Sequence, residues 1–281
     1  MTCPSYCVTH AHPMLDLSCQ CIYTHVNCAQ LGVDDPSPLL SADKLGTSLF
    51  YLEISRCALR DGLATETLAP FEQLNQIMLL FSNMETWHGP LPSTVNTVDI
   101  RYSELTSIPN ALAQDTPDSL ATIQIEACSL GHVPDSVFEH WAKIDRLQLI
   151  NVSLTSVPSG LFSLGIVQYV SLRMNQLSEI SWRLLAQQDV TIDLSGNPIP
   201  ATAQVDDPSL IESRQVIVDG TPLCTSSKAP NCHAFCAPNC SVDSIGDRLC
   251  DLGCLTASCQ YDRGDCELFG IQPALQSIPI P

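Results

Sequence analysis

Aliphatic residues recur along the middle of the chain in a fixed unit, apolar at positions one, four, six and eleven, with a small or amide residue at nine. The first unit starts at Leu49 and continues through Leu52, Ile54, Cys57 and Leu59. Further units begin at Leu74, Val95, Leu120, Ile144, Val167 and Asp189, at steps of 25, 21, 25, 24, 23 and 22 residues. An eighth, weaker unit is marked by Val216-Ile-Val-Asp-Gly-Thr-Pro-Leu223, which parallels Ile192-Asp-Leu-Ser-Gly-Asn-Pro-Ile199 position for position. Alternation at positions four and six predicts a short strand in each unit with both side chains on one face. Proline at 109, 134 and 158, followed by Leu112, Val137-Phe138 and Leu161-Phe162, predicts a stop to the strand and the start of a return segment.

A period of 20 to 29 residues with this pattern resembles the leucine-rich repeat. The resemblance implies an α/β solenoid, a horseshoe whose strands stack in parallel so that neighbouring units bury a ladder no single unit could bury alone. Asparagine at position nine would bond the backbone of the turn. Cys57 and Cys128 occupy that position, and both are expected as buried thiols rather than disulfide partners.

Positions five, seven and eight face the inner, concave surface in this register. They bring together Met78, Leu80, Phe81, Arg101, Tyr102, Glu126, Gln148, Ile150, Arg173 and Met174. So much apolar surface in polar company is the mark of a binding face. A one-residue slip in the irregular unit around Trp87-His88-Gly89-Pro90 would turn these positions elsewhere.

The chain has 281 residues and 15 cysteines, 13 of them at its two ends. That distribution predicts disulfide-rich caps and an oxidising, extracellular setting. No leader precedes Cys3, so a secreted piece or the ectodomain of something longer is expected. Twelve basic against 30 acidic residues, a net charge of −18, argues against nucleic acid and against an anionic membrane surface. No run of about 18 apolar residues offers a membrane span.

At the C-terminal end, Cys236, Cys240, Cys250, Cys254, Cys259 and Cys266 fall within 31 residues, too few for an apolar core, so staples are required. Spacing alone leaves 15 pairings open. The acids Asp243, Asp247, Asp251, Asp262 and Asp265 between them suit a hard cation such as calcium, which takes six to eight oxygens. Ile245-Gly-Asp-Arg-Leu-Cys-Asp-Leu-Gly-Cys254 and Cys259-Gln-Tyr-Asp-Arg-Gly-Asp-Cys266 resemble the Notch repeat. That resemblance implies bridges Cys236–Cys259, Cys240–Cys254 and Cys250–Cys266, and a structural calcium held by Asp247, Asp262, Asp265 and the Leu249 carbonyl. Leu255-Thr256, Tyr261, Arg248 and Arg263 depart from the family pattern. In Notch receptors such repeats cover a protease site, which implies a module able to pack on a neighbour.

Cys224 and Cys232 are expected to pair and cap the array, and the resemblance to extracellular leucine-rich-repeat proteins implies the same. Cys3, Cys7, Cys19, Cys21 and Cys28 read as an N-terminal cap with one odd member, left free or paired upstream. His10 and His12 beside them suggest zinc only weakly, since the spacing fits no zinc pattern. The units expected are thus a cap at 1–48, the solenoid at 49–223, a C-terminal cap at 224–235, the Notch-like repeat at 236–266 and a linker or tail at 267–281. Asn151 and Asn239 fit the glycosylation pattern, and Arg263-Gly264-Asp265 spells an adhesion tripeptide of low specificity.

No G-x-S-x-G, H-E-x-x-H, phosphate loop or dinucleotide turn occurs. The function expected is therefore non-enzymatic recognition of a protein or peptide on the concave face. A ligandless wall or matrix spacer is the alternative, and a hydrolase of unknown type the remote one.

Overall fold

The computed structural model describes residues 2–11, 18–114, 116–227 and 231–271. Its largest element is a ten-stranded sheet in strict chain order. Strands β1 (Cys7–Ala11) and β2 (Gln20–Asn27) form an antiparallel hairpin at one end. From β2 onward every pairing is parallel, through β3 (Tyr51–Ser55), β4 (Gln76–Leu80), β5 (Thr97–Arg101), β6 (Thr122–Glu126), β7 (Arg146–Ile150), β8 (Tyr169–Ser171), β9 (Thr191–Asp193) and β10 (Val216–Ile217). The weak eighth unit thus contributes a strand, and the sheet also extends N-terminally beyond residue 49.

The register aligns equivalent positions. Leu52 lies beside Ile77, and Val98, Ile123, Leu147, Val170 and Ile192 continue the rung. All are buried. The repeats with proline at 109, 134 and 158 leave this rung through a return segment that starts at that proline, the helices Asn110–Ala113 and Asp135–His140 and the 3-10 turn Ser159–Ser163, whereas Thr65–Leu68 and Trp182–Leu185 follow Ala64 and Ser181. Trp87 and Trp141 fill the space behind the sheet and give their indole N–H to the carbonyls of Leu63 and Leu112, which satisfies the one polar atom each buries.

Position eight is left-handed in all eight repeats. Arg56, Phe81, Tyr102, Ala127, Asn151 and Met174 have φ between 52° and 57°, and Gly196 and Gly220 follow at 71° and 66°. A non-glycine residue there costs about 1–2 kcal/mol. What offsets the cost is visible one repeat along: the N–H of Arg56 donates to Leu80, that of Phe81 to Arg101, that of Tyr102 to Glu126, and so on to Gly196 and Asp219. The ladder is extended by one bond while the chain swings off the sheet. The side chain at this position stands at the edge of the inner face.

Position nine does two different jobs. Asn175 and Asn197 accept backbone N–H groups of Val152, Leu154 and Leu177 and donate to carbonyls of Leu149, Leu172 and Leu194. In the N-terminal half small residues replace them. Cys128 is a free, buried thiol beside the Ser103 hydroxyl at 3.1 Å.

Cys57 overturns an expectation: it is bonded to Cys28. Because β2 and β3 pair with Asn27 opposite Ser55, the residues just beyond both strands fall side by side, with Cα atoms 5.0 Å apart. Cys28 is therefore the odd cap cysteine, and its partner lies inside the array rather than upstream. Cys3–Cys19 and Cys7–Cys21 join the hairpin, and Cys224–Cys232 closes the far end.

Candidate functional site on the concave face

The inner face carries a buried charge network at its centre. Arg101 donates to both oxygens of Asp99 at 2.9–3.1 Å and stands 3.5 Å from Glu126. Gln148 donates to Gln124, which donates in turn to Glu126. Burial presses on the Arg101 charge, but Asp99 and Glu126 more than reverse it and hold the guanidinium ionised. Burial pushes Glu126 up, with Arg101 pulling against it. Arg173 lies 3.8 Å from Asp193, whose carboxyl burial also raises.

Beside this network Met78, Leu80, Phe81 and Tyr102 form the contiguous apolar patch expected from the repeat register. Phe81 and Tyr102 stack with centroids 4.7 Å apart and 7° between planes. The patch is not open to solvent. Leu80 and Phe81 pack with Cys250, Leu255, Cys266 and Phe269 in one buried cluster, flanked by Met78, Tyr102 and Leu252. The chain's own C-terminal module is seated on the face.

The docking runs the length of the array, in the reverse direction of the chain. At the C-terminal end the Phe235 ring lies over the two position-eight glycines; a Cβ on Gly220 would meet it at 2.8 Å, so glycine is needed there for space as well as for φ. Midway, Arg173 donates to the Ser244 hydroxyl at 3.1 Å. The Tyr102 hydroxyl accepts the Leu252 N–H at 3.1 Å and reaches the Cys250 carbonyl at 3.5 Å. At the N-terminal end Arg56 and Gln30 donate to the carbonyls of Phe269 and Leu268, and the Phe269 ring meets Phe81 and His25. Residues 267–281 were expected as a linker. For 268–271 this does not hold, because Phe269 is buried in the cluster that joins the module to Leu80 and Phe81 of the solenoid; residues 272–281 lie outside the described residues.

Within the module, β11 (Phe235–Ala237) and β12 (Cys240–Ser241) make a small hairpin. Cys236 is bonded to Cys259, Cys240 to Cys254 and Cys250 to Cys266. Cys240, Cys254 and Cys259 are its interior. Gln260 through Arg263 run left-handed, φ 45–55°, and this turn carries Asp262 fully inside.

Asp262 Oδ2 accepts the Asp251 N–H at 2.8 Å, whereas Oδ1 is buried with no hydrogen-bond partner. Asp265 Oδ2 accepts the Arg248 N–H and Asp247 Oδ1 the Leu249 N–H, at 2.7 and 2.8 Å. Burial, with the Asp265 and Asp247 charges adding to it, pushes Asp262 up to about 6. An orphaned carboxylate oxygen under the field of two further carboxylates has the chemistry a hard cation answers, although the ligand atoms of Asp247, Asp262 and Asp265 do not converge within 4.8 Å of one another. Asp251 is pushed to about 8, by burial first and then by Glu126 and Asp247. It sets a second acid against the concave network across the seam.

Asn151 and Asn239 are exposed, Asn151 at the edge of the inner face and Asn239 in the β11–β12 turn. Ile150 is buried, Gln148 and Met174 half-buried. The cysteines around His10 are bridged and offer no thiolate to zinc; His12 lies outside the described residues.

Four residues of this face escaped the repeat count: Tyr23, His25, Tyr51 and Phe269. The first three stand on β2 and β3, outside positions five, seven and eight of the units from Leu49, and the signal for the β2 pair is the alternation Tyr23-Thr24-His25-Val26. His25 Nε2 lies 3.0 Å from Ser55 Oγ and 3.8 Å from Glu53. Both contacts use one nitrogen and Ser55 is buried, whereas a nucleophilic triad needs the carboxylate on the other nitrogen.

No family model matches the chain. It is 27% identical over 114 residues to an Arabidopsis thaliana protein described as "Probably inactive leucine-rich repeat receptor-like protein kinase", a match covering 40% of this chain and 14% of that protein. Among solved structures it is similar to a leucine-rich-repeat protein of Leptospira interrogans, at 14% identity, TM-score 0.43, 67% of this chain and 43% of that one. It is also similar to a chain in the Drosophila Toll–Spatzle complex, at 21% identity, TM-score 0.40, 58% and 26% coverage. The repeat period, the parallel ladder and the capping disulfides make this a leucine-rich-repeat-like solenoid. Seven disulfides among the described residues fit an extracellular domain, and no helix among them is long and apolar enough to cross a membrane.

Proposed function

We propose that the chain is a non-enzymatic, extracellular recognition module for a protein or peptide, its binding face being the concave surface and its C-terminal module a calcium-stabilised Notch-like repeat. The observation that carries this is the aromatic patch at Phe81 and Tyr102, flanked by the Arg101 and Arg173 networks. In a spacer the same aromatic pair would serve to seat the module that packs on it, so the two readings part on whether the face takes anything besides its own module. The patch is held under the chain's own module, so recognition proceeds either around the module's rim or after it lifts.

Calcium would be held by the carboxylates of Asp247, Asp262 and Asp265 and the Leu249 carbonyl, and would supply charge neutralisation to a segment with little apolar interior. Removing it with a chelator under non-reducing conditions should speed amide exchange at 236–266 and leave the solenoid unchanged. Exchange that does not respond to chelation removes calcium from this reading.

The recognition claim is tested by selecting peptides from a displayed library on the intact chain and on Phe269→Asp, which is designed to lift the module. Peptides enriched on either form that lose binding on Tyr102→Ala or Arg173→Ala support it. Two selections without enrichment favour the spacer.

A further inference from the structure

Between the N-terminal end of the concave face and the docked module lies a cavity of about 420 Å³. Its solenoid wall is the pair Tyr23 and Tyr51, stacked with centroids 4.7 Å apart and continued by Met78 and Phe81. Phe269 of the module closes the opposite side. The volume sits in the range of about 300–1,000 Å³ usual for ligand pockets. It is too small for a folded partner and large enough for the head of a side chain or a small molecule.

Glu53 stands in the wall and is only 6% exposed. Its Oε2 accepts the Tyr23 hydroxyl at 2.5 Å. The contact of Oε1 with His25 Nε2, at 3.8 Å, is too long to be a hydrogen bond. Of the other charged groups along the cavity, only His25 reaches Glu53, at ion-pair distance when its ring is protonated. The Arg101 guanidinium is committed to Asp99 and Glu126, Arg248 is exposed, and His25 turns Nε2 to Ser55. Among the described residues Glu53 is the one carboxylate of the lining, which it shares with the neutralised Arg101 and the exposed Arg248, in a chain of net charge −18. A carboxylate with acceptor capacity to spare, set among aromatic rings, is what an organic cation seeks: ring faces attract positive charge within about 6 Å, and the carboxylate takes a charge-assisted hydrogen bond.

We propose that this cavity binds an organic cation, an alkylammonium or guanidinium head, with Glu53 as counter-ion and Tyr51 and Phe81 as aromatic walls. The inference deepens the recognition reading of the concave face, and in it the docked module completes a site instead of merely covering one. The cation has two sources, a lysine or arginine of a partner protein or a free amine.

The intact chain is titrated calorimetrically with n-butylammonium, n-butylguanidinium, n-butanol and a terminally blocked tripeptide with lysine at its centre. Saturable binding of a butyl cation, with butanol at least about tenfold weaker, is expected, and Glu53→Gln should cost about tenfold in affinity. Met78→Lys, which tethers an ammonium at the wall, should abolish binding and serves as the second variant if Glu53→Gln does not fold. Binding of the peptide as well assigns the site to a partner's side chain; binding of the butyl cations alone assigns it to small amines. Butanol binding as well as butylammonium, no binding of any cation, or a Glu53→Gln protein that binds like the parent overturns the proposal. The peptide selection above is read at Tyr102 and Arg173, away from Glu53, so either result stands without the other.

Discussion

Between Leu49 and Leu223 each repeat hides its aliphatic residues against the next repeat, in register over eight parallel strands. Between Cys236 and Cys266 the interior is sulfur, with Cys240, Cys254 and Cys259 at its centre. The remaining buried large apolar residues of the module, Leu255 and Phe269, share one cluster with Cys250 and Cys266 of the module and Leu80 and Phe81 of the solenoid. One region thus makes its own core by repetition. The other is pinned by covalent bonds and borrows a second core from the face it covers. Stability in the solenoid is shared between neighbours, and stability in the module divides into bridges, docking and its buried carboxylates.

The comparison breaks hardest at the aliphatic rung. Leu147→Asp puts an uncompensated charge where the side chain is fully buried, and cooperative unfolding of the whole array should be lost. Leu147→Ala should cost about 2–5 kcal/mol, read as a shift of the denaturant midpoint. Replacing Cys250 and Cys266 together by serine should cost about 2–5 kcal/mol, and should show as faster exchange at 236–271 with the solenoid midpoint unchanged. If the solenoid midpoint falls with it, the two regions are one cooperative unit. Phe269→Ala should weaken docking by about 3 kcal/mol, with dye binding appearing at the uncovered Phe81 and Tyr102 while all bridges remain.

The smallest effect is electrostatic. Burial raises Glu126 and Asp193 above the ordinary carboxylate range, so the folded chain binds more protons than the unfolded one between the ordinary and the raised values. Their contribution is present below that range and lost as pH rises through the raised values. In an Asp251→Asn background, stability should therefore fall with rising pH across that window, and Glu126→Gln should flatten the slope.

The strand positions, their parallel stacking and the proline-led return segments were legible at the level of single repeats, because a period near 24 residues leaves no other way to bury two aliphatic positions per unit. The inner-face positions were legible for the same reason. The left-handed residue at position eight was not, since six of its eight occupants carry a Cβ and only inter-repeat hydrogen bonds justify the cost. Nor was the Cys28–Cys57 bridge, because it needs the knowledge that the cap hairpin supplies a strand to the same sheet.

By itself the amino-acid sequence determined that this chain is a capped repeat array with a sulfur-rich appendage, since periodicity and cysteine spacing are local and survive without knowledge of the fold. Only the tertiary structure decided that the appendage turns back along the concave face. It also decided that Phe269 meets Phe81 and that Glu53 is enclosed with Tyr23 and Tyr51. Those contacts join residues about 190 positions apart or repeats separated by a turn of the solenoid, and docking geometry of that range is set by surface fit, which no pattern along the chain encodes.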